Sequence, residues 1–259
     1  MIYAIANQKG GVGKTTTCLN VATVLAEQGK KVLMVDLDPQ AGLTTSLGFN
    51  PEELQPTIYN LLIDGDELNV RQVILSTSEP NLDFIPANLD LSGAEIELIR
   101  EMSWDRTLGE VLKPVRSFYD FIFVDCPPSL GVLTTNAFMA AKMVIVPVQS
   151  EYLAMRGLKQ LQKIINKVQK KGNPGIQIKI LRTMHDARTI HSTEIVDELK
   201  RVFDKRVFDA IIRRSVKFSE ATAAFQPIIR YAENSTGALA YRALVKEILE
   251  YEQNQTTSN

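Results

Sequence analysis

The chain has 259 residues, 45% hydrophobic and 23% charged, which excludes a disordered chain, a collagen-like repeat and a coiled coil and fits one large α/β domain. Two cysteines, Cys18 and Cys126, and two histidines, His185 and His191, are too few for a disulfide framework or a four-cysteine metal site. The net charge of −1 conceals a polarity: residues 151–230 hold 17 Lys and Arg against 8 Asp and Glu, a net of +9, and the remainder a net of −10. That basic stretch fits either a polyanionic partner or a solvated helix surface.

Short β-rich apolar runs alternate with longer stretches of helical period. In chain order the pattern predicts strand Ile2–Ala6, helix Thr15–Gln28, strands Lys31–Asp36 and Leu82–Ile85, helix Asp90–Glu101, strand Phe121–Asp125, helix Leu133–Ala141, strand Met143–Val148, helix Ala154–Lys171, strand Ile176–Leu181, and helices Thr189–Phe203 and Thr236–Tyr251. This is the order of an α/β fold: a single-domain, doubly wound, mostly parallel sheet flanked by helices over residues 1–252, with 253–259 as a polar, frayed tail. Such a sheet places its ligand beyond the carboxyl ends of its strands. No apolar run reaches the ~18 residues that span a bilayer, and the N-terminus enters a strand with no room for a signal peptide, so a cytoplasmic location is expected.

Residues 8–16 read QKGGVGKTT between the first strand and the first helix, the context that a phosphate-binding loop requires. Gly10, Gly11 and Gly13, with Val12 between them, let successive N–H groups converge on phosphate oxygens at a helix N-terminus. Lys14 then reaches the β- and γ-phosphates, Thr15 offers a hydroxyl to Mg²⁺, and Thr16 is placed to touch the α-phosphate.

Lys9 precedes the first glycine, and the resulting KGGxGK[ST] form resembles the deviant loop of the ParA/MinD-type ATPases, which include the nitrogenase iron protein. The resemblance implies that Lys9 crosses the interface of an ATP-sandwich homodimer to the partner's nucleotide. Strand two runs into VLMVDLDPQ, whose Asp36 and Asp38 lie two apart, so that in an extended chain both carboxylates leave one face. By resemblance Asp38 orients the attacking water and Asp36 supports the Mg²⁺ shell. In FIFVDCPPSLG, Asp125 stands at the Walker B position to bind Mg²⁺ through water, and Pro127 and Pro128 stiffen a segment that can sense the γ-phosphate.

NQKGGVGKTTT, DLDPQ, AEIELI, FVDCPPSLG, PVQSEYLAMRGL and MHDART follow the ParA/Soj pattern in order over nearly the whole chain. This resemblance implies an ATP- and Mg²⁺-dependent partition ATPase of weak intrinsic activity. Its ATP-bound homodimer binds DNA non-specifically on the nucleoid, and a ParB-like or adaptor partner stimulates hydrolysis. With one residue ahead of the first strand, no N-terminal helix-turn-helix is expected. DNA contacts map by resemblance onto Arg188 and Lys217, with Arg213 and Arg214 beside Lys217; Lys159, Lys163, Lys167 and Lys170 form one stripe of the Ala154–Lys171 helix. Nucleotide contacts extend to Met184, Arg213 and Ser215. Three departures stand out: Arg213-Arg214-Ser215 replaces the family's Pro-Arg-Asn turn at the adenine, DPQGN becomes Asp38-Pro39-Gln40-Ala41-Gly42, and SEAPS becomes Ser219-Glu220-Ala221-Thr222-Ala223.

Three other readings meet obstacles in the sequence. A MinD-like membrane ATPase that places division or organelle sites needs a basic amphipathic C-terminus, whereas ALVKEILEYEQNQTTSN has acids and amides, so no membrane partner is expected. An iron–sulfur reductase needs two ligating cysteines, whereas Cys18 and Cys126 read as buried small hydrophobes. A scaffold that binds ATP without hydrolysing it fits poorly with Lys9 and Asp38 both present.

Overall fold

The computed structural model describes residues 1–64, 68–149, 154–185 and 201–257. One sheet contains β1 (Ile2–Ile5), β2 (Val32–Asp36), β3 (Leu75–Ser76), β4 (Leu82–Ile85), β5 (Phe121–Asp125), β6 (Met143–Gln149), β7 (Gln177–His185) and β8 (Val207–Arg213). The strands lie in the order β3-β4-β2-β5-β1-β6-β7-β8, and every pair is parallel except β3–β4. The described helices are α1 (Lys14–Glu27), α2 (Gly42–Ser46), α3 (Ile58–Ile63), α4 (Leu91–Leu98), α5 (Thr107–Leu112), α6 (Val132–Ala140), α7 (Ala154–Lys171), α8 (Val216–Ala223), α9 (Ile228–Tyr231) and α10 (Thr236–Thr257).

The central strands IYAI, VLMVD and FIFVD are buried at every position, as a parallel sheet covered on both faces requires. Alternate residues feed two cores. Ile2, Ala4, Leu33, Val35, Ile122 and Val124 pack under α3 to α7, whereas Tyr3, Ile5, Met34, Phe121 and Phe123 pack under α1 and α10. Cys126 belongs to the first core and Cys18 to the second; burial drives both thiols well above their ordinary pKa.

Polar bonds fix α1 within its apolar layer. The hydroxyls of Thr17 and Tyr241 meet at 3.3 Å, and Asn20 donates to the Thr16 carbonyl at 2.8 Å while accepting from the backbone N–H of Ile229 at 3.4 Å. Farther along α10, buried Glu252 accepts from the hydroxyl of fully buried Tyr3 and pairs with Lys142.

The doubly wound sheet and its six expected strands are present, and the structure corrects several boundaries. Strand β7 runs on to His185, with irregular pairing to β8 between Ile180 and His185. Strand β8 was not expected, although Val207–Arg213 alternates in burial; an Asp and an Ala interrupt its apolar signal. Strand β3 is two residues long, below the length at which periodicity can show. The last helix continues through Thr257 rather than fraying at Gln253, because no glycine or proline stops it and Glu252 ties its final turns to the sheet. The expected helix Thr189–Phe203 lies outside the described residues except for helical 201–203.

Replacing Glu252 by Ala leaves Tyr3 and Lys142 without their shared acceptor and should cost about 3 kcal/mol in urea denaturation, whereas Glu250→Ala, an exposed site, should cost under about 0.5 kcal/mol.

Candidate functional site

The carboxyl ends of β1, β2, β5, β6 and β7 converge on residues 7–16. Gly13 caps α1 with φ 88°, and Gly11 has φ 69°; both lie in the left-handed region that glycine enters at least cost. Open space lies where a Cβ would project from Gly10, Gly11 or Gly13, so the loop forms a cradle lined by backbone. Gln8 to Gly11 are exposed at its rim, whereas Val12 and Lys14 are buried. Asn7 braces the loop by donating to the Pro147 carbonyl at 2.6 Å and accepting from the Lys9 N–H at 3.0 Å. Lys9 itself donates from Nζ to Gln149 Oε1 at 3.1 Å.

Asp36 and Asp125 are opposite partners in the β2–β5 ladder, and both are buried. The Thr15 hydroxyl donates to Asp125 Oδ2 at 2.6 Å, and Asp125 Oδ1 is buried with no hydrogen-bond partner among the described residues. Burial and then the Asp36 charge push the Asp125 pKa well above the carboxylate range, opposed by Thr15 and Lys14. Asp36 behaves differently. Burial raises its pKa to about 6 against three donors: Thr44 N and Thr44 Oγ1 reach its Oδ2, both at 2.8 Å, and Asp38 N reaches its Oδ1 at 3.2 Å. Asp36 thus organises the turn toward α2. Asp38, half-buried, accepts from Gln40 N at 3.0 Å.

The residues read as contacting the base meet at the ends of β7 and β8. His185 pairs with Arg213, and Arg214 N donates to the His185 carbonyl at 3.4 Å. Met184, with φ 50°, precedes this pair. Ser215 takes over a capping role, its side chain accepting from Lys217 N at 3.2 Å at the start of α8. Arg213 and Arg214 are exposed. Lys217 is paired with Glu220 at 2.7 Å, and Glu220 also accepts from the Tyr231 hydroxyl. Arg188 lies outside the described residues. Lys159, Lys163, Lys167 and Lys170 are exposed on α7, opposite buried Leu158, Leu161, Ile165 and Val168.

Thr44 and Thr183 support the site without belonging to any motif read from the sequence, and Asn7 and Gln149 support it from within NQKGGVGKTTT and PVQSEYLAMRGL, motifs that assign them no role of their own. Thr44 shows how they work: its hydroxyl donates to Asp36 and accepts from Ala87 N at 3.1 Å, joining the turn after β2 to the loop after β4.

A backbone phosphate cradle at a helix start, a buried lysine and a strand-end carboxylate beside a threonine hydroxyl define a P-loop NTPase. The AAA domain family matches residues 1–178. The chain is 45% identical over 248 residues to the sporulation initiation inhibitor protein Soj of Bacillus subtilis, covering 95% of this chain and 97% of Soj. It is 40% identical over 257 residues to the chromosome partitioning protein ParA of Caulobacter vibrioides, covering 98% and 96%. The solved cobyrinic acid a,c-diamide synthase of Mycobacterium smegmatis, with bound ATP analog and magnesium, is 36% identical with a TM-score of 0.85, covering 97% of this chain and 95% of that one. The chain belongs to the ParA/Soj-type ATPases.

Replacing Thr44 by Val strips one donor from buried Asp36 and the acceptor from Ala87 N. Stability should fall by about 1–3 kcal/mol, read as a lower denaturation midpoint at unchanged m.

Proposed function

We propose that the chain is a partition or positioning ATPase that binds ATP with Mg²⁺, assembles as a nucleotide-sandwich homodimer, binds DNA non-specifically, and hydrolyses ATP slowly until a ParB-like or adaptor partner stimulates it. The observation that carries this reading is Asp125: a buried carboxylate with one oxygen unpartnered, beside the Thr15 hydroxyl and buried Lys14 at the mouth of the glycine cradle. Burial and the Asp36 charge oppose its ionisation, and a bound cation would favour the charged form. Thr15 and Asp125 are the residues that would hold Mg²⁺, with Asp36 behind them, and the bound ion supplies neutralisation of charge on phosphate oxygens.

The cradle N–H groups and Lys14 hold the phosphates in place, which supplies the positioning that phosphoryl transfer depends on. Asp38, fixed by the turn that Asp36 and Gln40 build, orients the attacking water. Lys9, on the exposed rim, reaches the phosphates of the second subunit. Magnesium and an ATP analog in the M. smegmatis structure, and the chromosome-partitioning name of the Caulobacter relative, support the reading.

For DNA, exposed Arg213 and Arg214 take the larger share among the described residues and the ion-paired Lys217 the smaller, with Arg188 and the α7 lysines adding charge. Phosphate neutralisation alone suffices for sequence-independent binding, and a dimer presents two such patches at once. The proposed setting is the nucleoid in the cytoplasm. No described helix is long and apolar enough to cross a membrane.

Lys14→Ala should abolish nucleotide binding, whereas Asp38→Ala should bind ATP normally and lose at least about 100-fold in turnover. Lys9→Ala should bind nucleotide yet stay monomeric in sedimentation with a non-hydrolysable analogue. Equal turnover by wild type and Asp38→Ala would overturn the catalytic assignment.

DNA binding should require ATP and ignore sequence. In a salt titration the logarithmic slope should be about −0.9 per phosphate contacted, and reversing Arg213 and Arg214 to Glu should make it shallower by about 2 per subunit. Equally tight binding with ADP would assign the basic surface to another partner.

A further inference from the structure

Thr183 is 2% exposed at the tip of β7, opposite Gln149 in the β6–β7 ladder. Its hydroxyl donates at 2.8 Å to the carbonyl of Val12, 171 residues away in the chain and 1% exposed. In a trans peptide the carbonyl and the following N–H point in opposite directions. Holding the Val12 carbonyl toward β7 therefore turns the Gly13 N–H away from β7. Gly13 has no Cβ to restrict it and sits at φ 88°, so the chain itself gives this peptide plane little preference for one orientation over its flip.

The strand tip is well placed to impose that preference. Arg182, next to Thr183 and 4% exposed, donates from one guanidinium nitrogen to the carbonyls of Phe208 at 3.2 Å and Asp209 at 2.9 Å, which clamps β7 to β8. Gln149, the ladder partner of Thr183, accepts from Lys9. The ends of β6 and β7 thus hold the phosphate loop at two points, before its first glycine through Lys9 and before its last through Val12.

We propose that Thr183 is a positioning residue of the nucleotide site: its hydroxyl fixes the Val12–Gly13 peptide so that the Gly13 N–H faces the phosphate cradle before nucleotide arrives. The proposal rests on reading the loop as a nucleotide site. Thr183 acts through Gly13 and does not itself touch the nucleotide. Its removal should weaken binding by releasing a donor from its orientation, since a preoriented donor costs less to engage.

The experiment is titration of wild type and variants with a fluorescent ADP analogue and Mg²⁺, with thermal denaturation of each protein alongside. Thr183→Val keeps the shape and removes the donor; its affinity should fall about tenfold, and Thr183→Ser, which restores the hydroxyl, should bind within about threefold of wild type. Thr23→Val is the control, because Thr23 donates an equally short 2.8 Å bond to the Leu19 carbonyl within α1. It should lower Tm and leave affinity unchanged. If Thr183→Val does not fold, Thr183→Cys, close to threonine in size and a weaker donor, takes its place. Wild-type affinity in the valine or cysteine variant would overturn the proposal, as would a serine variant as weak as the valine. A wild-type chain that binds no nucleotide would instead overturn the underlying reading, and the proposal with it.

Discussion

Two carboxylates side by side and out of water set the terms for the site. Asp36 and Asp125 are neighbours across β2 and β5 at full burial, where desolvation penalises both and the Asp36 charge further disfavours ionisation of Asp125. The fold resolves them in opposite ways. Asp36 receives three hydrogen bonds and becomes the hub of a turn. Asp125 receives one from Thr15 and has an oxygen left over. The parallel order that puts β5 between β2 and β1 makes the pairing unavoidable, because the strand carrying Asp125 must border both the strand of Asp36 and the strand that launches the phosphate loop.

The chemistry-bearing residues were legible because they are short-range patterns: glycines spaced between a strand and a helix, and acids at strand ends. Lys14, Thr15 and Asp125 meet as their motifs imply. The alternation of β2 carries through Leu37, which shares a core with Leu33 and Val35 and donates its N–H to the Asp125 carbonyl at 2.9 Å, and the chain turns only after Asp38. Two of the supporting residues, Thr44 and Thr183, were not legible. Nothing local distinguishes Thr183 or Thr44 from any other threonine; their roles arise from contacts 171 and 43 residues distant, which only the sheet order specifies. Strand β8 escaped for a related reason, since an exposed Asp209 at its centre breaks the run of apolar residues that marks the buried strands.

The departures from the family pattern have physical outcomes. Where the family has glycine in DPQGN, Ala41 adopts φ 50° at the start of α2, a conformation that costs a non-glycine residue roughly 1 kcal/mol. The displaced glycine, Gly42, lies against Thr15, 3.6 Å from its hydroxyl oxygen by the position a Cβ would take. Where the family has asparagine, Ser215 supplies the cap of α8, so the turn keeps its helix start although the asparagine amide is gone.

Helix α1 begins on the phosphate loop, and its polar ties to Tyr241 and Ile229, with the Glu27 ion pairs to Arg230 and Arg242 at its far end, stand in a layer packed by non-directional apolar contacts. Apolar surfaces tolerate sliding; hydrogen bonds of defined partners do not. The helix is therefore indexed along its own axis, like a shaft with a key. On the proposed function, the parts left to answer a terminal phosphate would be the exposed rim of residues 8–11 and the turns that follow β2 and β5.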